Sequence, residues 1–350
     1  MDTLSKIDLV KKGAILEILT LEELKSLFET NSHPKHYIGF EISGKVHLGT
    51  GLLTALKLKD FMAAGIKPTI FLADYHAWIN NKFDGDLKKI QKIAGGYFKA
   101  AFISLGLEDV EFILGSKLYE ELGSSYWKDV LLISKDTTLS RMIRCTTIMG
   151  RTEKENLPSS SIIYPAMQVA DIWGLDVDLV HAGMDQRKVH ILARELAPKY
   201  SKKKVVAIHT KLIPGLSGKT KMSYSTKDEE MLETKMSKSN PTSCIFIHDS
   251  EEEIKKKINK ALCPPKDIEN NPIIEYIDAF ILRDKAFKIE RDSKYGGDLI
   301  YYNIADLKAD YAQGKIHPSD LKNALALELI DMLKPCRDFF EKNKELLEGI

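Results

Sequence analysis

The stretch HYIGFEISGKVHLGTG, His36 to Gly51, decides the fold. Its first half, His36 to Ser43, is an apolar run of strand length, and Gly44 breaks it before a helix predicted to begin near His47. Leu48, Leu52 and Leu56 then recur at i, i+4 and i+8, along one face of that helix. A second apolar run, Pro68 to Asp74, follows Gly65, so the chain opens with a β-α-β unit and a parallel crossover. Val110 to Leu114, Leu179 to Ala182 and Val205 to His209 read as further strands with helical stretches between them. The expected fold class is α/β, a doubly wound, Rossmann-like parallel sheet.

Around this centre the chain divides into three expected parts. Residues 1–35 alternate charge with aliphatics at helical spacing and read as an N-terminal helical segment, and 36–240 form the Rossmann-like domain. Toward its end, running on to Ser243, the stretch from Leu216 is a polar Lys/Ser/Thr/Glu tract with little periodicity, whose positions 216–234 read as an insertion. Residues 241–350 read as a helical domain: Glu251 to Leu262, Pro272 to Leu282 and Leu321 to Phe340 carry apolar residues at helical spacing, punctuated by prolines.

The 350 residues, 44% of them hydrophobic, can bury a full core. No apolar run approaches the length of a membrane span and the N-terminus offers no signal-peptide pattern, so no membrane partner and a cytoplasmic location are expected. The four cysteines form no CxxC pair, which suggests neither a zinc ribbon nor a disulfide framework, and no metal ligand set is assigned. With 51 Lys and Arg against 50 Asp and Glu, the net charge of +1 argues against coating nucleic acid by bulk charge; any such contact needs a local basic face.

In an open parallel sheet the ligand crevice lies beyond the carboxyl ends of the strands, facing the N-terminus of the next helix. Gly44 to Gly51 occupies that place. Gly49 lets a nucleotide approach the backbone, and His47 and Thr50 can donate to phosphate oxygens; alone, a glycine-rich turn with a surface histidine is the plainer reading. Far downstream stands Lys235-Met236-Ser237-Lys238-Ser239, whose two lysines suit a lid that clamps a triphosphate, though a short Lys/Ser run is more often a solvated loop. A near copy, Lys221 to Ser225, precedes it; Lys235 to Ser239 is preferred because it has both lysines and leads into the apolar run Cys244 to Ile247, an anchor for the loop.

Tyr164, Gln168 and Asp171 fall at i, i+4 and i+7, one face of a helix, and the neighbouring Ile162, Ile163, Met167 and Val169 argue against an exposed face. A buried polar triad needs partners, and a buried carboxylate that accepts a phenolic hydrogen bond would reject the analogue lacking the hydroxyl.

A His-Leu-Gly-Thr turn paired with a distant KMSKS resembles the two signatures of class I aminoacyl-tRNA synthetases. Tyr37 to Gly44, Tyr164 to Asp171 and Gly183 to Arg187 sharpen the likeness to archaeal and eukaryotic tyrosyl-tRNA synthetases, from about residue 10 to about residue 345. The resemblance implies an ATP-dependent tyrosine–tRNA ligase with L-tyrosine, ATP and tRNA(Tyr) as partners, Mg²⁺ accompanying ATP, and a homodimer with its interface near residues 110–150. It implies that Tyr37 and Asp171 hold the substrate phenol, that His76 lines the pocket, and that Tyr164, Gln168 and Gln186 hold the α-amino group. Gly39, His47, Gly49, Thr50, Gly183, Asp185, Lys235, Ser237 and Lys238 would meet ATP, with His47, Thr50, Lys235 and Lys238 catalytic. Arg187 and Lys188 would read the first base pair of the acceptor stem, and Tyr295 and Asp320 the anticodon. Arg141 and Arg144 would contact the acceptor backbone unless they are simply solvated. Asp320 equally suits a helix cap before Leu321, and Asp185 with Gln186 a surface pair. Thr50 departs from the signature, which often ends in a second histidine. Rival readings are a tryptophanyl synthetase, a small nucleotidylyltransferase, and a non-catalytic tRNA-binding paralogue.

Overall fold

The structure, a computed structural model, describes residues 1–150, 156–218, 236, 241–269 and 271–350. Six strands form one sheet: β1 (Ile15–Leu19), β2 (Lys35–Glu41), β3 (Lys67–Ala73), β4 (Glu111–Leu114), β5 (Leu179–Gly183) and β6 (Val206–Thr210), in the order β1-β6-β5-β2-β3-β4. All neighbours are parallel except β1, which runs antiparallel to β6. This is the expected doubly wound α/β sheet, and each of the five strand assignments falls on a strand. β1 differs: Ile15–Leu19 lies inside the segment read as helical, between the helices Thr3–Lys11 and Leu21–Thr30. A five-residue run with one charge in it carries too little pattern to tell a strand from a helical turn, and pairing with β6 decides it.

Alternate residues of β2 serve opposite faces of the sheet. Ile38 enters a core shared with the helix Leu52–Ala63 and the C-terminal helices; Tyr37 enters a second core built on the helix Ser160–Gly174. β2 pairs with β3 along its whole length, Lys35 to Glu41, but with β5 only at His36 and Tyr37. Past Tyr37 the two strands part. The order reverses there, and the crevice opens between their carboxyl ends.

The helix expected to begin near His47 begins at Leu52, because residues 47–51 are held as a turn by an incoming segment. Leu48 N–H donates to Ile245 O at 3.0 Å and Ile247 N–H to Val46 O at 3.1 Å, around a His47–Phe246 bridge. A β-carbon at Gly51 would lie 2.7 Å from Val46 Cγ1 and 2.9 Å from Ile247 Cγ2, so only glycine lets the segments close. The run Cys244 to Ile247 is thus the anchor its composition suggested.

Past that anchor the chain is mainly helical, with Glu251–Lys260, Pro272–Tyr276 and the long Pro318–Lys342, and it adds a hairpin, β7 (Phe287–Ile289) with β8 (Leu299–Tyr301).

Candidate active site

A cavity of about 830 Å³ lies at the parting of β2 and β5. Its wall includes Tyr37, Gly39, His47, Gly49, Thr50, His76, Tyr164, Gln168, Asp171, Gly183, Asp185 and Gln186, so residues spread between positions 37 and 186 converge on one space. Lys235, Ser237 and Lys238 lie outside the described residues, as does the copy Lys221 to Ser225. Met236 is described: it is buried against the cavity, and its N–H donates to Ile213 O at 2.8 Å.

At the closed end sits Asp171, wholly buried on the helix Ser160–Gly174. Tyr126 Oη donates to its Oδ1 at 2.8 Å, whereas its Oδ2 has no hydrogen-bond partner among the described residues. Asp74, equally buried, makes the contrast. Its Oδ1 accepts from the N–H groups of Tyr75 and Ser116, and its Oδ2 from Gln91 Nε2 at 3.0 Å. An unmade bond to a buried polar group costs about 1–3 kcal/mol, so the vacant acceptor on Asp171 marks a place built for a donor, while Asp74 is a finished structural element. Burial pushes the Asp171 carboxyl well above the usual carboxylate range, opposed by the Tyr126 and Tyr119 hydroxyls.

His76 lies beside it, its Nε2 3.6 Å from Asp171 Oδ2. Burial lowers the imidazole to about 3, so the ring is neutral and the contact is not an ion pair. Its ring meets Tyr164 edge to face at 4.4 Å, and Tyr119, stacked on Tyr126 at 4.2 Å, closes the other side. Tyr37 keeps its proton, because burial and the nearby Asp171 push its phenol up. Gly39 serves Tyr37: a β-carbon at Gly39 would lie 2.4 Å from the Tyr37 hydroxyl oxygen.

Toward the mouth, Gln168 Nε2 donates to Gln186 Oε1 at 3.3 Å, and Gln186 Nε2 to Ile148 O at 3.0 Å. Tyr164 Oη is held protonated by burial and by Glu41, whose Oε1 accepts from Asn80 Nδ2 at 2.6 Å. On the opposite wall, His47 Nδ1 accepts from Gly49 N–H at 3.1 Å, and His47 N–H donates to Thr50 Oγ1 at 3.2 Å, fixing the turn. Gly183 makes room for Asp185, whose Oδ1 would be 2.6 Å from an added β-carbon.

Tyr126, Tyr119 and Glu41 are the site residues that sequence reasoning missed. Glu41 stood in the deciding stretch, at the carboxyl end of β2, where a ligand-facing side chain is expected; the two tyrosines arrive by packing of separate helices and left no local signal.

Arg141, Arg144, Arg187 and Lys188 stand outside the cavity wall, which holds Lys82 and Lys211 instead. Arg187 makes a bidentate pair with Glu17, at 2.7 and 2.8 Å, and Glu17 also accepts from His209 Nδ1 at 2.9 Å. Lys188 Nζ donates to Arg144 O at 3.1 Å. Arg141 makes a surface ion pair with Glu195 at 2.6 Å, and Arg144 is exposed. Tyr295 is 65% exposed, with Lys294 Nζ 4.8 Å from its ring centre. Asp320 is not the helix cap: His317 is, its Nδ1 accepting from Ser319 N–H at 3.2 Å, and Asp320 sits in the first turn, where a carboxylate meets the positive end of the helix dipole.

The family model for class I tRNA synthetases of the W and Y group matches residues 29–233 and 229–334. The tyrosine–tRNA ligases of Thermococcus sibiricus and Pyrococcus furiosus are each 46% identical to this chain, over 99% of it and 98% of their own length. The crystal structure of tyrosyl-tRNA synthetase from Pyrococcus horikoshii complexed with L-tyrosine superposes with a TM-score of 0.93 at 44% identity, covering all of both chains.

Proposed function

Since the chain belongs to the class I tRNA synthetases of the tryptophan and tyrosine group, we propose that it is a tyrosine–tRNA ligase, joining L-tyrosine to ATP as tyrosyl-adenylate and then to the terminal ribose of tRNA(Tyr). The observation that carries the choice of amino acid is Asp171 Oδ2, a buried acceptor without a partner at the closed end of the cavity. A phenol satisfies it; phenylalanine leaves it unmade, and an indole would have to be seated with its N–H there, beside Tyr37.

The substrate carboxylate is already a nucleophile at neutral pH, so adenylation needs no general base and rests on alignment and charge stabilisation. Tyr37, His76 and Asp171 would fix the ring, and Tyr164, Gln168 and Gln186 the amino group. Glu41, paired with Lys82 Nζ at 3.5 Å, stands on that side of Tyr164. With the amino group held there, the carboxylate would face the turn of His47 and Thr50, which would stabilise the α-phosphate as it becomes five-coordinate. Gly49 leaves the nucleotide room, Gly39 would meet it through its main chain, and Gly183 and Asp185 would meet its ribose. Lys235, Ser237 and Lys238 would bind the departing pyrophosphate, with Mg²⁺ arriving on ATP and offsetting its charge. The burial of Met236 beside the cavity supports Lys235 to Ser239 as the working signature.

Arg187 and Lys188 would meet the acceptor end of tRNA, with Arg141 and Arg144 on its backbone, and Tyr295 and Asp320 the anticodon. The divisions 1–35, 36–240 and 241–350 then correspond to an N-terminal segment, a catalytic domain and an anticodon-binding domain. A homodimer is supported by exposed apolar side chains within residues 110–150, Trp127 and Leu131 among them. No helix among the described residues is long and apolar enough to cross a membrane, and a cytoplasmic site of action fits the reaction.

Amino-acid-dependent ATP–pyrophosphate exchange tests this reading. Exchange supported by tyrosine and not by phenylalanine or tryptophan is the expected result; exchange with tryptophan, or with no amino acid tried, overturns it. Charging of tRNA(Tyr) tests the second step.

A further inference from the structure

The ladder of β7 and β8 is three residues long on each side, and a two-stranded ribbon of that length does not hold its own tip in place. The tip is the turn Tyr295-Gly296-Gly297-Asp298, in which both glycines have positive φ, +96° and +75°, a conformation that side chains rarely adopt. Asp292 O closes the turn from within, accepting from Tyr295 N–H at 2.9 Å, and Arg291 fastens it to the neighbouring chain. Arg291 Nε donates to Gly297 O at 2.9 Å, Arg291 N–H donates to Asp298 Oδ1 at 3.1 Å, and Arg291 Nη1 donates to Lys315 O at 2.9 Å. Lys315 stands just before His317, the cap of the helix that carries Asp320. A single guanidinium therefore ties the turn of Tyr295 to the entry of the Asp320 helix, two elements far apart in sequence.

We propose that Arg291 is a positioning residue for anticodon recognition, holding Tyr295 and Asp320 as one reading surface. The proposal rests on the anticodon role given above to those two residues. A planar fork bonds two carbonyls in fixed directions at once; a lysine ammonium is a point charge on a flexible stem and cannot hold both in that geometry. Asp298 acts within the same clasp, since it accepts from Arg291 N–H and pairs with Lys288 at 3.0 Å.

The test uses the full chain with Arg291→Lys and Arg291→Ala, and two tRNA(Tyr) transcripts that differ only in the first anticodon base. Wild type prefers the cognate transcript. In both variants that preference, as a ratio of kcat/KM, falls about tenfold or more, through a raised KM for the cognate transcript, while tyrosine-dependent ATP–pyrophosphate exchange keeps its wild-type rate. An unchanged ratio overturns the proposal, and so does an equal loss on both transcripts, which marks general scaffolding. Should Arg291→Ala lose its fold by thermal melting, Arg291→Lys decides the matter. If wild type itself ignores the substituted base, the anticodon role of this face fails, and the proposal fails with it.

Discussion

His76 Nε2 and Asp171 Oδ2 face each other across 3.6 Å, and neither has a hydrogen-bond partner among the described residues. Two neighbouring buried atoms left in that state form a socket: a ligand hydroxyl can donate to the carboxylate and, with the imidazole as its Nε2–H tautomer, accept from the histidine. Asp171→Asn turns half of the acceptor into a donor. The ratio of exchange rates with tyrosine and phenylalanine should then narrow by about 10–100-fold, chiefly through a weaker KM for tyrosine. A ratio equal to wild type would place the hydroxyl elsewhere.

Gly39 and Tyr37 make a second test of the pocket. Gly39→Ala sets a methyl group 2.4 Å from the Tyr37 hydroxyl, so the ring must swing or the strand must shift. Overpacking of this kind costs about 1–3 kcal/mol, to be read as a lower midpoint in urea together with a raised KM for tyrosine. Adding Tyr37→Phe removes the oxygen nearest the clash, so the double variant should regain part of the stability without regaining the KM.

Acid should weaken the fold through its histidines. His36 and His76 are lowered to about 3 and His248 to about 4, all by burial, against 6.5 in an unfolded chain. Between those limits the unfolded state binds more protons, so stability is complete above pH 6.5 and is lost as pH falls toward 4 and then 3. Each group contributes at most about 1.4 kcal/mol per pH unit within its window. His36, both of whose ring nitrogens lack partners, is the one to replace: His36→Leu should flatten the decline of melting temperature between pH 7 and 5. A decline as steep as that of wild type would assign the acid limb to other groups.

Arg187 cannot serve a nucleic acid and Glu17 equally well at the same time. Arg187→Ala is expected to lower kcat/KM for tRNA charging about tenfold or more, leaving tyrosine-dependent exchange near the wild-type rate. Equal losses in both assays would put the residue in the first step.

On the helix Ser124–Lys135, Trp127 and Leu131 are one turn apart, 42% and 68% exposed. Replacing both with glutamate should convert a dimer to monomers in sedimentation velocity. A wild-type chain that sediments as a monomer removes the reason for a second copy.

Much of this was legible in the sequence, for identifiable reasons. β2 to β6 announced themselves as apolar runs bounded by breakers, and Asp171 by its helical spacing from Tyr164 and Gln168. Where a role depends on contact across the fold, the string is silent: Tyr126 reaches Asp171 over a separation of 45 residues, and Arg291 acts through main-chain carbonyls that any residue type supplies. The late start of the helix at Leu52 has the same origin, since the segment that holds residues 47–51 in a turn comes from beyond residue 240.

The sheet ends on one side in β1, five residues with an irregular register between Ile15 and Glu17, and on the other in β4, four residues long. Rims this brief and uneven offer strangers almost no template for adding a further strand. Crowded or heated chains should therefore resist fibre formation until the sheet itself comes apart.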